Sequence, residues 1–456
     1  MTPTDTRDEQ HGRSMRRMIW GIILIGGSAP LVLYWLAYGR LATVTPPQAK
    51  VLLRRPGDAA LLVDVRPAAD FQARHIDGAQ SWPLDRILAL ERPGDVPRRF
   101  RGKTLLLVCN VGVSSSRAAW HLTGRGVERA VNVRGGAQDW IGSAPGPKGD
   151  VFDRWRTASG GTVEFPSRRS PWHEQAAAVV SGFAVKPAYT LLSLLLALVL
   201  WRSKAADLVA LRWAMVFFFI GENFCALNYV LFRETSYLFE YLHSFGMLLC
   251  FGFTTYAFLE GFDRRILMLS EPDRKCAALG LCRGCVKYSD APCGLKRTFF
   301  LIVPACMVVA LMPLVADRHA LSYNTWVFDT FYNYSHPAIH QQYEFLYCPI
   351  VAILLLIASL LILTFKKENP IGPAKVLFAA AMGPLGFALL RLVINGPYSQ
   401  NLVWRNWWEE VTELLFIVGV GFVLWTFRRG LFPQGRFFPW PAGGQIVTDS
   451  DHHHEI

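Results

Sequence analysis

The sequence predicts two structural classes in one chain. An α/β domain with a parallel sheet flanked by helices lies near the N-terminus, and an all-α polytopic transmembrane bundle follows it. Three observations predict this. The chain has 456 residues, of which 52% are hydrophobic and only 18% charged, whereas a soluble protein carries roughly 25% charged residues. Apolar runs of roughly 20 residues, the length that crosses a bilayer core, recur along it. Between residues 46 and 146 these runs give way to short apolar strands alternating with helical segments, the pattern of a parallel α/β sheet. The composition excludes a disordered chain and fits a purely soluble enzyme poorly. The formal charge is +12. In a membrane protein such an excess sits on cytoplasmic loops, so the expected environment is the lipid bilayer and no nucleic-acid partner is expected.

The spans come first in the chain. A short N-terminus (1–17) leads to an anchor at 18–38, and further apolar runs lie at 179–201, 208–232, 237–259, 298–315, 345–365, 374–394 and 411–427. That gives about eight spans by the length criterion. Arg13, Arg16, Arg17, Arg202, Lys204, Arg264, Arg265, Lys296, Arg297, Lys366, Lys367, Arg428 and Arg429 flank these runs on one side. The opposite short loops carry few cations, Arg233, Arg318 and Arg405. Basic residues mark the cytoplasmic face. Both termini, the tail at 428–456 included, are therefore expected inside, and residues 40–178 outside. The first run is longer than a signal-peptide core of roughly 7–15 residues, which favours an uncleaved anchor.

In the extramembrane region, Leu61-Leu62-Val63-Asp64-Val65 reads as a buried strand and Ala68 to Ala73 as a helix. Thr104 to Val108 reads as a second strand, Ser114 to Thr123 as a helix, and Ala130 to Val133 as a third strand before Gly135-Gly136. Residues 147–178 read as a linker to the seven-span membrane domain at 179–427. Cys109 ends the second strand, and the loop Asn110-Val111-Gly112-Val113 leads into the helix at Ser114-Ser115. A thiol at that edge faces the N-terminus of the next helix. Loop N–H groups and the helix dipole stabilise an anion there. They favour the thiolate, which is the nucleophile. The plainer alternative is a buried structural cysteine.

More of the sequence bears on Cys109. Asp64-Val65-Arg66, Asp70-Phe71, His75-Ile76-Asp77-Gly78-Ala79 and Pro83-Leu84 precede it, and Ser115, Arg117-Ala118-Ala119, Gly126, Gly135-Gly136 and Trp140 follow. Residues 46–146 closely resemble a single rhodanese domain. The resemblance implies an α/β fold and a sulfurtransferase in which Cys109 becomes a persulfide. The loop Asn110, Val111, Gly112, Val113, Ser114, Ser115 then surrounds a small sulfur-containing donor, as in short-loop sulfurtransferases and the periplasmic phage-shock type. Arg74, Asp77 and Asn110 depart from the residues common in relatives: Gly, Pro and Arg. Related phosphatases and arsenate reductases close a longer loop with Arg six positions after Cys. That position is Ser115 here, which argues against phosphate chemistry. In a bacterium the outer side is the periplasm and the membrane the inner one.

Four cysteines, Cys276, Cys282, Cys285 and Cys293, crowd the loop at 266–297. The topology puts it in the cytoplasm, where disulfides are disfavoured. Four thiolates so placed suit one zinc ion or an iron–sulfur cluster. Iron–sulfur is slightly favoured, since only one Cys-x2-Cys knuckle is present. The alternative is a set of incidental free thiols.

Ionisable residues within spans are rare and often functional. Glu222, His243, Arg391 and Glu413 lie in or at the edges of spans, and His336, His340 and Glu344 share i, i+4, i+8 spacing just before another. All fall toward the outer side, that of the extramembrane domain. The readings are a quinone pocket, a haem or metal site, or the mouth of a transport path, against a set of structural ion pairs. The expected function is a membrane-bound sulfurtransferase that passes sulfur from Cys109 to an acceptor or redox partner at the bundle. The alternatives are a transporter of a sulfur species with a delivery domain, and a redox sensor or assembly protein.

Overall fold

Alternation along a strand sends successive side chains to opposite faces. In Leu105-Leu106-Leu107-Val108-Cys109 it separates two apolar cores. The computed structural model describes residues 3–38, 41–55, 59–110, 112–142, 154–160, 162–164, 168–169, 171–232, 236–267, 299–315, 322–327, 330–335, 343–366, 370–398 and 402–432. After the long helix α1 (Pro3–Tyr38), the extramembrane domain runs through β1 (Thr43–Val44), α2 (Pro46–Arg54), β2 (Ala60–Asp64) and α3 (Ala68–Ala73). It continues through β3 (Arg74–Ile76), β4 (Gln80–Ser81), α4 (Leu84–Leu88), β5 (Thr104–Val108), α5 (Val113–Gly124), β6 (Ala130–Val133) and α6 (Gly136–Gly142). The main sheet has the order β1-β6-β5-β2-β4, and every pairing in it is parallel. Leu62 stands beside Leu106, and Leu106 beside Val131. Leu105, Leu107 and Cys109 pack with Ala118, Ala119 and Leu122 of α5 on one face. Leu106 and Val108 pack with Ala49, Ala137 and Trp140 on the other. Both faces are covered, as a parallel sheet requires. The strands and helices read from the sequence are present within a residue or two.

The segment read as a linker carries structure of its own. β7 (Arg154–Thr157) and β8 (Thr162–Glu164) form a small antiparallel sheet with β3, so the α/β unit continues past residue 146. Arg156 Nε lies 2.8 Å from Asp77 Oδ1 across this junction. β9 (Arg168–Arg169) pairs with a hairpin described below. The polar composition of this stretch concealed it, because edge strands of this kind gain their order from the partner strand rather than from their own apolar pattern.

The helical part begins with α7 (Trp172–Val180), which runs through a π turn at Ser181–Val185 into α8 (Lys186–Val199). Then come α9 (Ala206–Phe232), α10 (Tyr237–Phe262) and α11 (Phe299–Val315), followed by the hairpin β10 (Ser322–Val327) and β11 (Thr330–Ser335). The chain closes with α12 (Cys348–Phe365), α13 (Ile371–Tyr398) and α14 (Leu402–Thr426). Six helices among the described residues are long and apolar enough to cross a membrane. The other two expected spans differ for physical reasons. α11 is 17 residues long and short of that length. α14 starts earlier than the apolar run at 411, because Arg405, Glu409 and Glu410 form ion contacts inside the bundle instead of ending the helix.

Large apolar side chains face outward, for example Leu191, Leu195 and Leu198 of α8, each more than half exposed. Their i, i+4, i+7 spacing makes one continuous greasy stripe, the surface a lipid tail covers. Inside, small residues let the backbones meet. A Cβ on Gly246 of α10 would stand 2.9 Å from the Cα of Gly221 on α9. Close contact of this kind drives helix association where no hydrophobic force does.

Among the described residues of the helices, most buried charge gathers at two levels. Lys375 Nζ meets Glu260 at 2.7 Å and Asp263 at 2.6 Å, with Arg265 on Asp207 beside them at 2.7 Å. Glu222, His243 and their neighbours form the other level. From His243 to Glu260 along α10 is about 25 Å at 1.5 Å rise per residue. That separation approaches the roughly 30 Å thickness of a hydrocarbon core.

Candidate functional site

Cys109 continues the Leu105–Leu107 face of β5 and is 3% exposed. The chain then reverses into α5 through Gly112, whose φ is +88°. Glycine occupies this left-handed region without a Cβ clash. The turn aims the Gly112 N–H at the Cys109 Sγ, 3.1 Å away. Ser115, in the first turn of α5, sets its Oγ 3.4 Å from the same sulfur. That hydroxyl also donates to Oδ1 of buried Asn132 on β6 at 2.8 Å. The Ala137 N–H holds the Cys109 carbonyl at 2.7 Å, which fixes the backbone under the thiol.

The proton count at Ser115 has a chemical consequence. A serine hydroxyl has one proton. With a neutral thiol, that proton goes to Asn132 and the S–H points at the Ser115 oxygen. With a thiolate, the proton turns to sulfur. The Gly112 N–H and the N-terminal end of α5 then stabilise the same charge.

Of the other loop residues, Val111 lies outside the described residues, and Val113 is described by its backbone alone. Ser114 is half-buried, and Ser116, not Ser114, caps the turn by donating to the Gly112 carbonyl at 2.6 Å. Arg117 is exposed and does not close over the sulfur.

The three departures from the rhodanese pattern are tied into the fold. Arg66, held by Asp64 at 2.7 Å, reaches Oδ1 of Asn110 at 3.3 Å and the carbonyl of Arg74 at 2.7 Å. Asp77 accepts Arg156 from the added sheet. Asn110 thus joins the loop after Cys109 to the loop after β2. Sequence reading missed this role of Arg66 and that of Asn132. A polar residue in the apolar strand Ala130–Val133 was the available signal. Beside the site, burial pushes the Asp139 carboxyl up to about 7, against the lowering influence of Arg134.

The second candidate site lies in the helices. Of its expected members, Glu222, His243, Glu344, Arg391 and Glu413 are all buried. Lys186 Nζ sits 2.6 Å from Glu222 and 3.1 Å from Glu410. His243 Nδ1 is 3.4 Å from Glu222 and 3.1 Å from the Gly221 carbonyl. Tyr189 OH is 2.8 Å from Glu222 and also contacts Glu410. Oxygens of Glu222, Glu410 and Glu413 lie within 4.8 Å of one another. Arg391 bridges Glu344 at 3.3 Å and Glu409, which Arg405 also approaches at 3.6 Å. His336 and His340 lie outside the described residues, as do Cys276, Cys282, Cys285 and Cys293. Lys186 and Tyr189 were missed, although a lysine within the run 179–201 is the same signal that singled out Glu222.

The rhodanese-like domain profile matches residues 45–143. The thiosulfate sulfurtransferase GlpE of Pseudomonas savastanoi pv. phaseolicola is 35% identical over 100 residues, covering 22% of this chain and 88% of the relative. An uncharacterized protein of Synechocystis, slr1261, is 36% identical over 98 residues, and the chain spans about half of its length, 51%. The maize adenylyltransferase and sulfurtransferase MOCS3-2 is 32% identical over 107 residues, which cover 22% of that protein. No solved structure matches the chain.

Proposed function

Because this chain belongs to the rhodanese-like family through residues 45–143, we propose that it is a membrane-bound sulfurtransferase with Cys109 as its nucleophile. The observation that carries this is the convergence of the Gly112 N–H and the Ser115 hydroxyl on one sulfur, at 3.1 Å and 3.4 Å. The Cys109 thiolate attacks the sulfane sulfur of a small donor of the thiosulfate type. The donor's S–S bond breaks, sulfite leaves with the electron pair, and Cys109 holds a persulfide. An acceptor nucleophile at the membrane domain takes the outer sulfur and returns the thiolate. The two donors meet the thiolate at Sγ before the attack and again when the outer sulfur has left.

The one-sided basic residues support a periplasmic α/β domain in an inner membrane, with cytoplasmic termini. Cys276, Cys282, Cys285 and Cys293 would then lie in the cytoplasm and bind zinc or an iron–sulfur cluster. A haem or quinone at the helices would make the bundle redox-active. The transporter reading gains from the ionisable cluster within the helices, since such groups mark ion and substrate paths.

The test uses the full chain in detergent. It is loaded with thiosulfate, Cys109 is examined by mass spectrometry for one added sulfur, and thiocyanate is counted on adding cyanide. Cys109→Ser should show neither. Turnover at the wild-type rate in that variant overturns the assignment.

A further inference from the structure

The geometry points to a buried proton-binding site within the membrane helices, formed by Glu222, Tyr189, Glu410 and Glu413, that holds two exchangeable protons at neutral pH. It is independent of the sulfur site.

The first observation is charge. Two adjoining groups hold five carboxylates: Glu222, Glu410 and Glu413 around Lys186, and Glu344 and Glu409 around Arg391 and Arg405. Against them stand three permanent cations, Lys186, Arg391 and Arg405. Five minus three leaves two uncompensated negative charges if every acid is ionised. Unpaired charge in a low-dielectric interior is not sustained, and such groups take up protons or bind a cation instead.

Among the described residues the packed helices bring no further permanent cation to these acids. α7 carries Glu174 and His173 but no Lys or Arg, and the other titratable groups near the acids include Cys225 on α9, Glu240, His243 and Cys250 on α10, and Tyr343 and Cys348 beside Glu344. Arg212 of α9 sits at the opposite end of its helix, and Lys375 of α13 is held by Glu260 and Asp263.

The second observation is a count of hydrogens. Tyr189 OH lies between carboxylate oxygens of Glu222, at 2.8 Å, and Glu410, and it also accepts from Lys186 at 3.1 Å. A phenol has one proton to donate. It satisfies one carboxylate, and the second contact needs a proton on the acid itself. Glu413 needs another: it is 6% exposed, and its Oε2 has no hydrogen-bond partner among the described residues.

A metal ion is the rival occupant. The Lys186 ammonium already stands between Glu222 and Glu410, where such an ion would sit. The remaining need is for charge without volume, and a proton supplies that. One proton is shared along Glu222–Tyr189–Glu410, the other sits at Glu413, and His243 hydrogen-bonded to the Gly221 carbonyl borders the group. A buried set of this kind loads and releases protons as the helices change contact, and couples proton movement to whatever the bundle does.

Infrared difference spectroscopy of the full chain in lipid nanodiscs tests this, stepping from neutral to alkaline pH in H2O and D2O. The Asp139→Asn background removes the protonated carboxyl of the outer domain. Wild-type helices should show a D2O-sensitive carboxyl C=O band at neutral pH that disappears on alkalinisation. Glu413→Gln should remove one of its two equivalents. Glu222→Gln and Tyr189→Phe should shift the pH at which the remainder is lost. A neutral-pH spectrum without that band, or one unchanged in all three variants, overturns the proposal. So does one equivalent of a divalent metal that co-purifies with the wild type and is lost in Glu413→Gln.

Discussion

Gly112→Ala separates the turn from the chemistry at Cys109. A Cβ at this residue would meet the Gly135 backbone nitrogen at 3.0 Å and the Val133 carbonyl at 3.5 Å, and the φ of +88° is unfavourable to any L side chain. Left-handed backbone costs a non-glycine residue roughly 1–2 kcal/mol. Relief comes by rotating the peptide that carries the Gly112 N–H, the same group that lies 3.1 Å from the sulfur. Losing a hydrogen bond to a charged group costs about 1.5–3 kcal/mol. At about 1.4 kcal/mol per tenfold, persulfide formation should slow by roughly 10- to 150-fold. The assay is single-turnover persulfide formation on the full chain, read by thiocyanate release, beside a thermal melt of the same sample. The melt should fall modestly and the rate by at least an order of magnitude. A lower melting temperature with an unchanged rate would refute the reasoning, because the N–H would then have no part in the chemistry.

Ser115→Ala removes the hydroxyl that alternates between Asn132 and the sulfur, and should slow persulfide formation by about tenfold with little change in donor saturation. Asp139 has its carboxyl raised from 3.8 to about 7 by burial. The folded state keeps a proton that the unfolded chain has lost, so stability from this group is greatest below about 4 and falls as pH rises toward 7. Melts of wild type and Asp139→Asn should therefore diverge between these values and run parallel above them. Lys375→Met leaves Glu260 and Asp263 buried without their shared cation. It should destabilise the bundle by about 3–5 kcal/mol, and adding Glu260→Gln and Asp263→Asn should restore a monodisperse peak on heating. Single Cys→Ala changes at Cys276, Cys282, Cys285 or Cys293 should each lower bound zinc or iron by similar amounts, measured by elemental analysis.

Local patterns sufficed for the α/β domain because its signals are local. A short apolar strand, a glycine-bearing turn and a helix start lie within twenty residues of Cys109, so the chain itself states the strand–loop–helix order. The spans were legible for a related reason: a helix in lipid must satisfy its backbone internally and cover itself with apolar residues, whatever its neighbours are. α14 escaped that rule. Its first half reads as polar because, apart from Arg405 one turn away, the cations that offset its acids lie in other helices, Arg391 eighteen residues from Glu409 and Lys186 more than two hundred from Glu410.

The sequence by itself thus determined the α/β domain, the place of Cys109 between strand and helix, the apolar helices and the presence of acids among them. Tertiary structure alone decided that Asn132 and Ser115 share one proton beside Cys109. It also decided that Arg66 spans two loops, that residues 154–164 extend the domain, and that Lys186, Tyr189, Glu222, Glu410 and Glu413 form one cluster. The physical reason is range. Strand and helix periodicity act over a few residues, whereas a buried charge is compensated by whichever group packing brings within a few ångströms, and sequence separation says nothing about that distance.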